Sequence, residues 1–269
     1  MKYRMIASDL DETLLDGNSQ ISDRNKKAVE AAIGQGIMFV IATGRMFKTS
    51  ISYLDTLGIT CDWPVINNHG ALIKTARSEK VLFHQPLNNA IARSVIKEVS
   101  SDECHMSLYI DDILYVSEKN QFTQYYETIG NIQLEAVGDL NLFLEQHPYD
   151  PCKITIVQMD NKVEEIEKRL LDKFNSELSI RQSSQYFLEV TDKKATKGQA
   201  LAWLADLYSI KAEEIMAIGD GPNDHDMICY AGLGVAVSNA HPLVLEAADV
   251  VAPSNIEDGV AVAIEKYAL

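Results

Sequence analysis

The stretch Tyr3 to Ala7 is apolar except for Arg4, with no alternation of polar and apolar residues, and acids follow it at once in Ser8-Asp9-Leu10-Asp11. A strand without a polar face has no side for water, so it belongs in a parallel sheet covered on both faces. The same pattern recurs. Ile37–Ala42 runs into Thr43-Gly44-Arg45, Ile215–Ile218 runs into Gly219-Asp220-Gly221, and the runs Gly234–Val237 and Val250-Val251 follow. Helical stretches separate these runs. Buried strands alternating with helices require a parallel sheet with right-handed crossovers. In such sheets ligands bind outside the carboxyl ends of the strands.

The chain reads as two interleaved parts. In the first, Ser22 caps a helix to about Gly34 with Ala28, Val29, Ala32 and Ile33 facing inward. A second helix spans Phe47 to Leu57 and stops at Gly58, and a short strand at Val65-Ile66 follows Pro64. The middle differs. A helix from Asn89 to Val99 precedes a hairpin, Met106–Ile110 and Ile113–Val116, turned through Asp111-Asp112. Lys153–Met159 is a strand. The segment from Lys162 to Phe174 repeats Val163, Ile166, Leu170 and Phe174 at helical spacing, and strands at Leu178–Arg181 and Phe187–Val190 complete the set. Antiparallel strands mixed with helices suggest an inserted α+β module. The last part, from a helix at Thr196–Leu207 onward, returns to the first pattern. The expected fold class is therefore α/β. A Rossmann-like parallel-sheet core (residues 1–84 and 189–269) carries an inserted α+β cap domain (85–188), expected above the strand tips.

The strand tips carry the chemistry. Asp9 and Asp11 stand two residues apart, so an extended backbone keeps both on one side. Two carboxylates this close need a cation or a shared proton. The tip is then a candidate for nucleophilic catalysis with a hard metal ion, and an ordinary polar turn is the plainer alternative. Asp220, with Asn223 and Asp224 a turn later, supplies a second acidic tip that could share one divalent cation with the first. Thr43 and Gly44 open a helix and suit a phosphate cradle, because N–H groups at a helix start attract anions. Lys197 offers a cation for the same phosphate, or is a solvated surface lysine like most others.

Asp9-Leu10-Asp11-Glu12-Thr13-Leu14-Leu15, Thr43-Gly44-Arg45, Lys197-Gly198 and Gly219-Asp220-Gly221-Pro222-Asn223-Asp224 together resemble the ordered motifs of the haloacid dehalogenase superfamily. The long segment between Arg45 and Lys197 points to the Cof-type phosphatases, which carry an α/β cap there. Asn255 with Glu257-Asp258-Gly259-Val260 resembles the usual ending of that subgroup. Three departures stand out: Glu12 where relatives often have glycine, His69 where the subgroup has asparagine before Gly70-Ala71, and Leu245 where many have lysine.

The resemblance implies a magnesium-dependent phosphatase working through an aspartyl-phosphate. Asp9 would be the nucleophile and Asp11 the general acid and base. Leu10, Thr43, Gly44, Lys197 and Asn223 would contact the phosphoryl group. Mg2+ would be held by the Asp9 carboxylate, the Asp11 backbone carbonyl and Asp220, with Asp224 orienting that shell. The implied substrate is a small phosphorylated metabolite such as a sugar phosphate. A phosphomutase and a catalytically silent phosphate-binding regulator are the alternatives, and a halide-removing enzyme is disfavoured because it needs neither Asp11 nor Asp220.

Other residues read more plainly. Asp111 and Asp112 suit a turn rather than a metal site. His225 and Asp226 suit a helix face, and Tyr109, Tyr125 and Tyr126 suit cap packing. His69, on a loop expected to face the cap, either touches substrate or shapes its loop. A net charge of −15 disfavours nucleic acid and anionic membranes as partners. The absence of a leader-like or membrane-spanning apolar segment gives a cytoplasmic expectation. The scattered cysteines, without a Cys-x-x-Cys pair, read as free buried thiols.

Overall fold

The computed structural model describes residues 2–124, 132–159 and 162–269. The chain divides into two compact units, one of Met1–Arg45, Ser50–Phe83 and Thr196–Leu269, the other of Met46–Thr49 and His84–Ala195.

The first unit is built on β1 (Met5–Ser8), an apolar strand ended by acids. It lies between β2 (Met38–Ile41) and β12 (Ile215–Gly219), both parallel to it. With β13 (Leu233–Val237) and β14 (Val250–Ala252) they form a five-stranded sheet in the order β14-β13-β12-β1-β2. Every residue of β1, β12 and β13 is buried, as strands covered on both faces must be. Ser8 is level with Ile218 on one side and Ile41 on the other, so the residues after these strands emerge along one edge. The helix Asp23–Gly34 starts where expected, with Ser22 Oγ accepting from Asn25 N at 3.1 Å.

Beyond β2, a bridge from Ala42 to Ile66 leads to β3 (Pro64–Asn67). Here the structure adds what sequence reading missed: β4 (Leu72–Thr75) and β5 (Val81–His84) complete a three-stranded sheet, β4 antiparallel to β3. Each is only four residues long, and β5 is mostly exposed, so neither shows a strand period.

The second unit holds a six-stranded sheet in the order β10-β11-β9-β6-β7-β8. Its strands are β6 (His105–Ile110), β7 (Ile113–Val116), β8 (Gln133–Ala136), β9 (Lys153–Val157), β10 (Leu178–Ser184) and β11 (Phe187–Asp192). The pairing is antiparallel except between β7 and β8. Leu108, Ile154, Ile156, Leu188 and Val190 point one way, into a core with Val95, Ile96, Ile166 and Leu170 from the helices Asn89–Glu98 and Val163–Phe174. Strand β8 and the helix Leu140–Gln146 were not foreseen. The turn at Asp111-Asp112 has φ of 49° and 60°, the backbone a two-residue hairpin loop demands. Tyr109 packs with Met46, Leu114 and Val116, while Tyr125 and Tyr126 lie outside the described residues.

The cysteines are free, but burial holds only for Cys152 and, in part, Cys104; Cys61 and Cys229 are exposed. No helix among the described residues is long and apolar enough to cross a membrane.

Candidate active site

The first unit brings the acidic tips together. Asp9 leaves the end of β1 with its N–H on the Ile218 carbonyl of β12 at 3.0 Å. The chain then makes a wide turn, closed by Leu15 N–H on the Leu10 carbonyl at 2.9 Å. Leu10 is fully buried and anchors this turn. Glu12 adopts the left-handed conformation (φ 58°), which is where glycine is favoured. Two distant asparagines brace the turn: Asn239 Nδ2 donates to the Glu12 carbonyl and Asn255 Nδ2 to that of Leu15, both at 2.8 Å. The Asn255 segment singled out in the sequence thus braces this acidic turn from outside.

Lys197 is not a surface lysine. It opens the helix Lys197–Leu207, is fully buried, and places Nζ 2.7 Å from Asp9 Oδ1 and 2.5 Å from Asp224 Oδ1. The other oxygen of Asp224 accepts the backbone N–H groups of Asp220 and Gly221 at 3.0 and 2.9 Å. Asp224 therefore ties the tip of β12 to Lys197. Asp220 Oδ1 accepts a 2.5 Å hydrogen bond from Thr13, a contact that sequence reading missed because the two residues are far apart in the chain.

Asp9, Asp220 and Asp224 are all buried and can present oxygens within 4.8 Å of one another, the one such group among the described residues. Ionised, these acids outnumber the single ammonium between them. Burial pushes the Asp9 carboxyl well above its usual range, and Asp224 adds to this while Lys197 opposes it. Burial likewise pushes Asp220 up to about 7, against the hydrogen bond from Thr13 and with the charge of Asp224. Burial works against the charge of Lys197 as well, but Asp224 and Asp9 outweigh it and hold the ammonium firmly protonated. A buried site with hard oxygen donors and an excess of negative charge fits a small divalent cation.

Asp11 sits apart from this cluster. Arg45 holds its carboxylate through two hydrogen bonds, of 2.5 and 2.8 Å. Thr43 lies two residues past the neighbouring strand β2, with its N–H on the Ile66 carbonyl and its Oγ1 accepting from Arg45 N; the helix expected to open there starts only at Phe47. Gly44 lies directly under the His69 ring; a Cβ there would come within 2.3 Å of it. The same ring places Nδ1 3.2 Å from Asn223 Nδ2. Asp226, read from the sequence as a helix-face residue, accepts the Gly198 N–H at 3.0 Å. The structure thus groups Asp9, Lys197, Asp220 and Asp224 tightly. It links Thr43, Gly44 and Asn223 through His69, and ties Asp11 to Arg45.

Comparison with known proteins agrees with this geometry. The haloacid dehalogenase-like hydrolase family matches over residues 6–264. The Bacillus subtilis 5-amino-6-(5-phospho-D-ribitylamino)uracil phosphatase YwtE is 30% identical, over 98% of this chain and 97% of its own length. Phosphatase YwpJ of the same organism is 27% identical, over 96% and 97% respectively. A haloacid dehalogenase-like hydrolase from Bacteroides thetaiotaomicron superposes with a TM-score of 0.88 at 28% identity, over 98% of this chain and 99% of that one. Matched from end to end in sequence and fold, with relatives named as phosphatases, this chain belongs to the haloacid dehalogenase-like hydrolase family.

Proposed function

We propose that this protein is a Mg2+-dependent phosphoric monoester hydrolase that passes the phosphoryl group of a small phosphorylated metabolite through an aspartyl-phosphate on Asp9. The observation that carries this reading is the Asp9–Lys197 contact, 2.7 Å long, inside a buried cluster of three carboxylates at adjacent strand ends. The relatives named as phosphatases support the reaction class. YwtE is named for a phosphorylated ribityl compound, so a phosphorylated polyol or sugar chain is the substrate class we favour.

In this reading the Asp9 carboxylate attacks phosphorus. A bond from its oxygen to phosphorus forms as the bond to the leaving oxygen breaks. Asp11 protonates that leaving oxygen, then takes a proton from the water whose oxygen displaces Asp9 and releases inorganic phosphate. Lys197 neutralises charge beside Asp9 and favours its ionised form. Backbone N–H groups at Leu10 and Gly44, the Thr43 hydroxyl and the Asn223 amide hold the phosphoryl oxygens. Asp9, the Asp11 carbonyl and Asp220 would hold Mg2+, while Asp224, engaged by Lys197 and two backbone N–H groups, orients them. When bound, the cation offsets the repulsion between the phosphate and the carboxylates that face it. The unit that ends in Thr196–Leu269 carries this chemistry, with the unit of His84–Ala195 as a cap that selects the substrate, in a cytoplasmic enzyme.

Asp9→Asn tests the core of the proposal. It should keep the fold and lose phosphate release by several orders of magnitude. Full turnover in that variant would reject Asp9 as nucleophile, and isomerised product in place of free phosphate would mark a mutase.

A further inference from the structure

The loop between β3 and β4, Asn68-His69-Gly70, touches the elements assigned to phosphate. Asn68 N–H donates to the Arg45 carbonyl at 3.0 Å and His69 N–H to that of Thr43 at 3.1 Å. The His69 ring covers Gly44 so closely that any side chain there would have to displace the ring. Its Nδ1 meets the Asn223 amide nitrogen at 3.2 Å. An amide nitrogen only donates, so Nδ1 accepts and the ring proton sits on Nε2. Gly70 rests against the Thr196 carbonyl, one residue before Lys197; a Cβ there would lie 2.2 Å from that oxygen.

The backbone adopts an unfavourable conformation to do this. Asn68, His69 and Gly70 have φ of 49°, 59° and 99°, so two residues with side chains stand consecutively in the left-handed region. Each costs roughly 1 kcal/mol, and strain of this kind persists where the surroundings over-determine it, most often at functional sites. Asparagine, which the family resemblance leads one to expect at position 69, tolerates this backbone but lacks the ring atoms Cε1 and Nε2 that lie nearest Gly44. The imidazole supplies them.

We propose that His69 is a positioning residue for phosphate binding. Its Nδ1 fixes the Asn223 side chain, and its ring seats the Thr43–Gly44 turn, so that contacts from two separate strand ends converge on one phosphoryl group. This rests on the reading of Asn223, Thr43 and Gly44 as phosphate contacts given above. His69 acts through them and takes no part in bond making.

The test uses the whole chain with Mg2+, p-nitrophenyl phosphate as substrate and inorganic phosphate as competitor. Asn223→Ala, His69→Gly, the double variant and His69→Asn are compared. Glycine suits φ 59°, so His69→Gly should melt no lower than the parent, which removes misfolding as an explanation. Asn223→Ala should raise KM and the inhibition constant of phosphate on the order of tenfold, as for a lost hydrogen bond to a charged group. His69→Gly should raise both at least as much with little change in kcat, and the double variant should be no worse than His69→Gly alone, since residues acting as one unit are not additive. His69→Asn, whose side-chain oxygen can accept the same hydrogen bond, should recover part of the loss; no recovery counts against that bond. Additive losses, or a His69→Gly enzyme with unaltered KM, overturn the role of His69 alone. An Asn223→Ala enzyme that binds phosphate normally overturns the phosphate reading of Asn223, and the proposal with it.

Discussion

Arg45 grips Asp11 with both arms of its guanidinium, Nη2 lying 2.5 Å from Oδ1 and Nε 2.8 Å from Oδ2. Tyr53 fixes the arginine in turn, its hydroxyl 3.1 Å from Nη1. The two-pronged pairing sets the plane of the Asp11 carboxylate. The hydrogen bond to Asp11 also raises Arg45 further above its already high range, so the guanidinium stays charged. Both oxygens of the carboxylate are thus engaged, so the leaving oxygen of a substrate would have to compete with the arginine for them. If Asp11 is the general acid, it must exchange one of these bonds during each turnover.

Arg45→Lys checks that link. Lysine keeps the charge but loses the fork. Because the Asp11 side chain is half exposed, stability should change by less than about 1 kcal/mol. Turnover should fall more with an alkyl phosphate, whose leaving oxygen needs a proton, than with p-nitrophenyl phosphate, whose leaving group does not. Equal losses on both substrates would detach Arg45 from proton transfer.

Lys197 lies between two buried carboxylates, so Lys197→Met should be costly. Removing one partner of a buried ion pair leaves uncompensated charge, at roughly 3–5 kcal/mol. Urea unfolding in chelator should show a loss of that order, together with loss of turnover. Unchanged unfolding midpoints would mean that the ion pairs of Lys197 add nothing to stability.

The acidic cluster predicts how stability follows pH. Asp220 titrates near 7 in the folded chain against an ordinary value of 3.8, and Asp9 is raised in the same sense. Between those values the folded state binds more protons than the unfolded state, so these groups lower stability as pH rises through the window. The metal-free protein should therefore melt lower at pH 8 than at pH 6. Mg2+ should raise the melting temperature more at pH 8, where fewer protons must leave the ligands. Asp220→Asn should flatten the dependence in chelator. Melting curves in EDTA and in Mg2+ at both pH values decide it, and a metal-free protein that is more stable at pH 8 would contradict it.

Glu12→Gly should stabilise the protein. Glu12 is left-handed at φ 58°, its side chain is exposed, and the carbonyl that receives Asn239 belongs to the backbone and survives the change. Relief of the strain is worth about 0.5–1 kcal/mol. Urea denaturation should show a higher midpoint with an unchanged slope. A lower midpoint would show that the Glu12 side chain makes a contact outweighing that strain.

Much of this protein could be read in one dimension because its key signals are local. Unbroken apolar runs such as Met5–Ala7 and Ile215–Ile218 declare strands buried on both faces, and the acids that follow mark the ligand-binding edge. The order of the motifs was enough to indicate the family. Short exposed strands such as Val81–His84 carry no such period, and only pairing with a neighbour makes them strands. Side-chain partnerships were harder still. Nothing near Thr13 announces Asp220, nothing near Asp11 singles out Arg45, and a lysine at a helix start gives no hint that it will be fully buried. Hydrophobic patterning depends on residues close in the chain, so the sequence alone determined the layered sheet and which residues end its strands. The charge pairing of Asp9, Lys197, Asp220 and Asp224, and the seating of His69 on Gly44 and Asn223, depend on contacts between segments far apart in the chain, and only the tertiary structure could decide them.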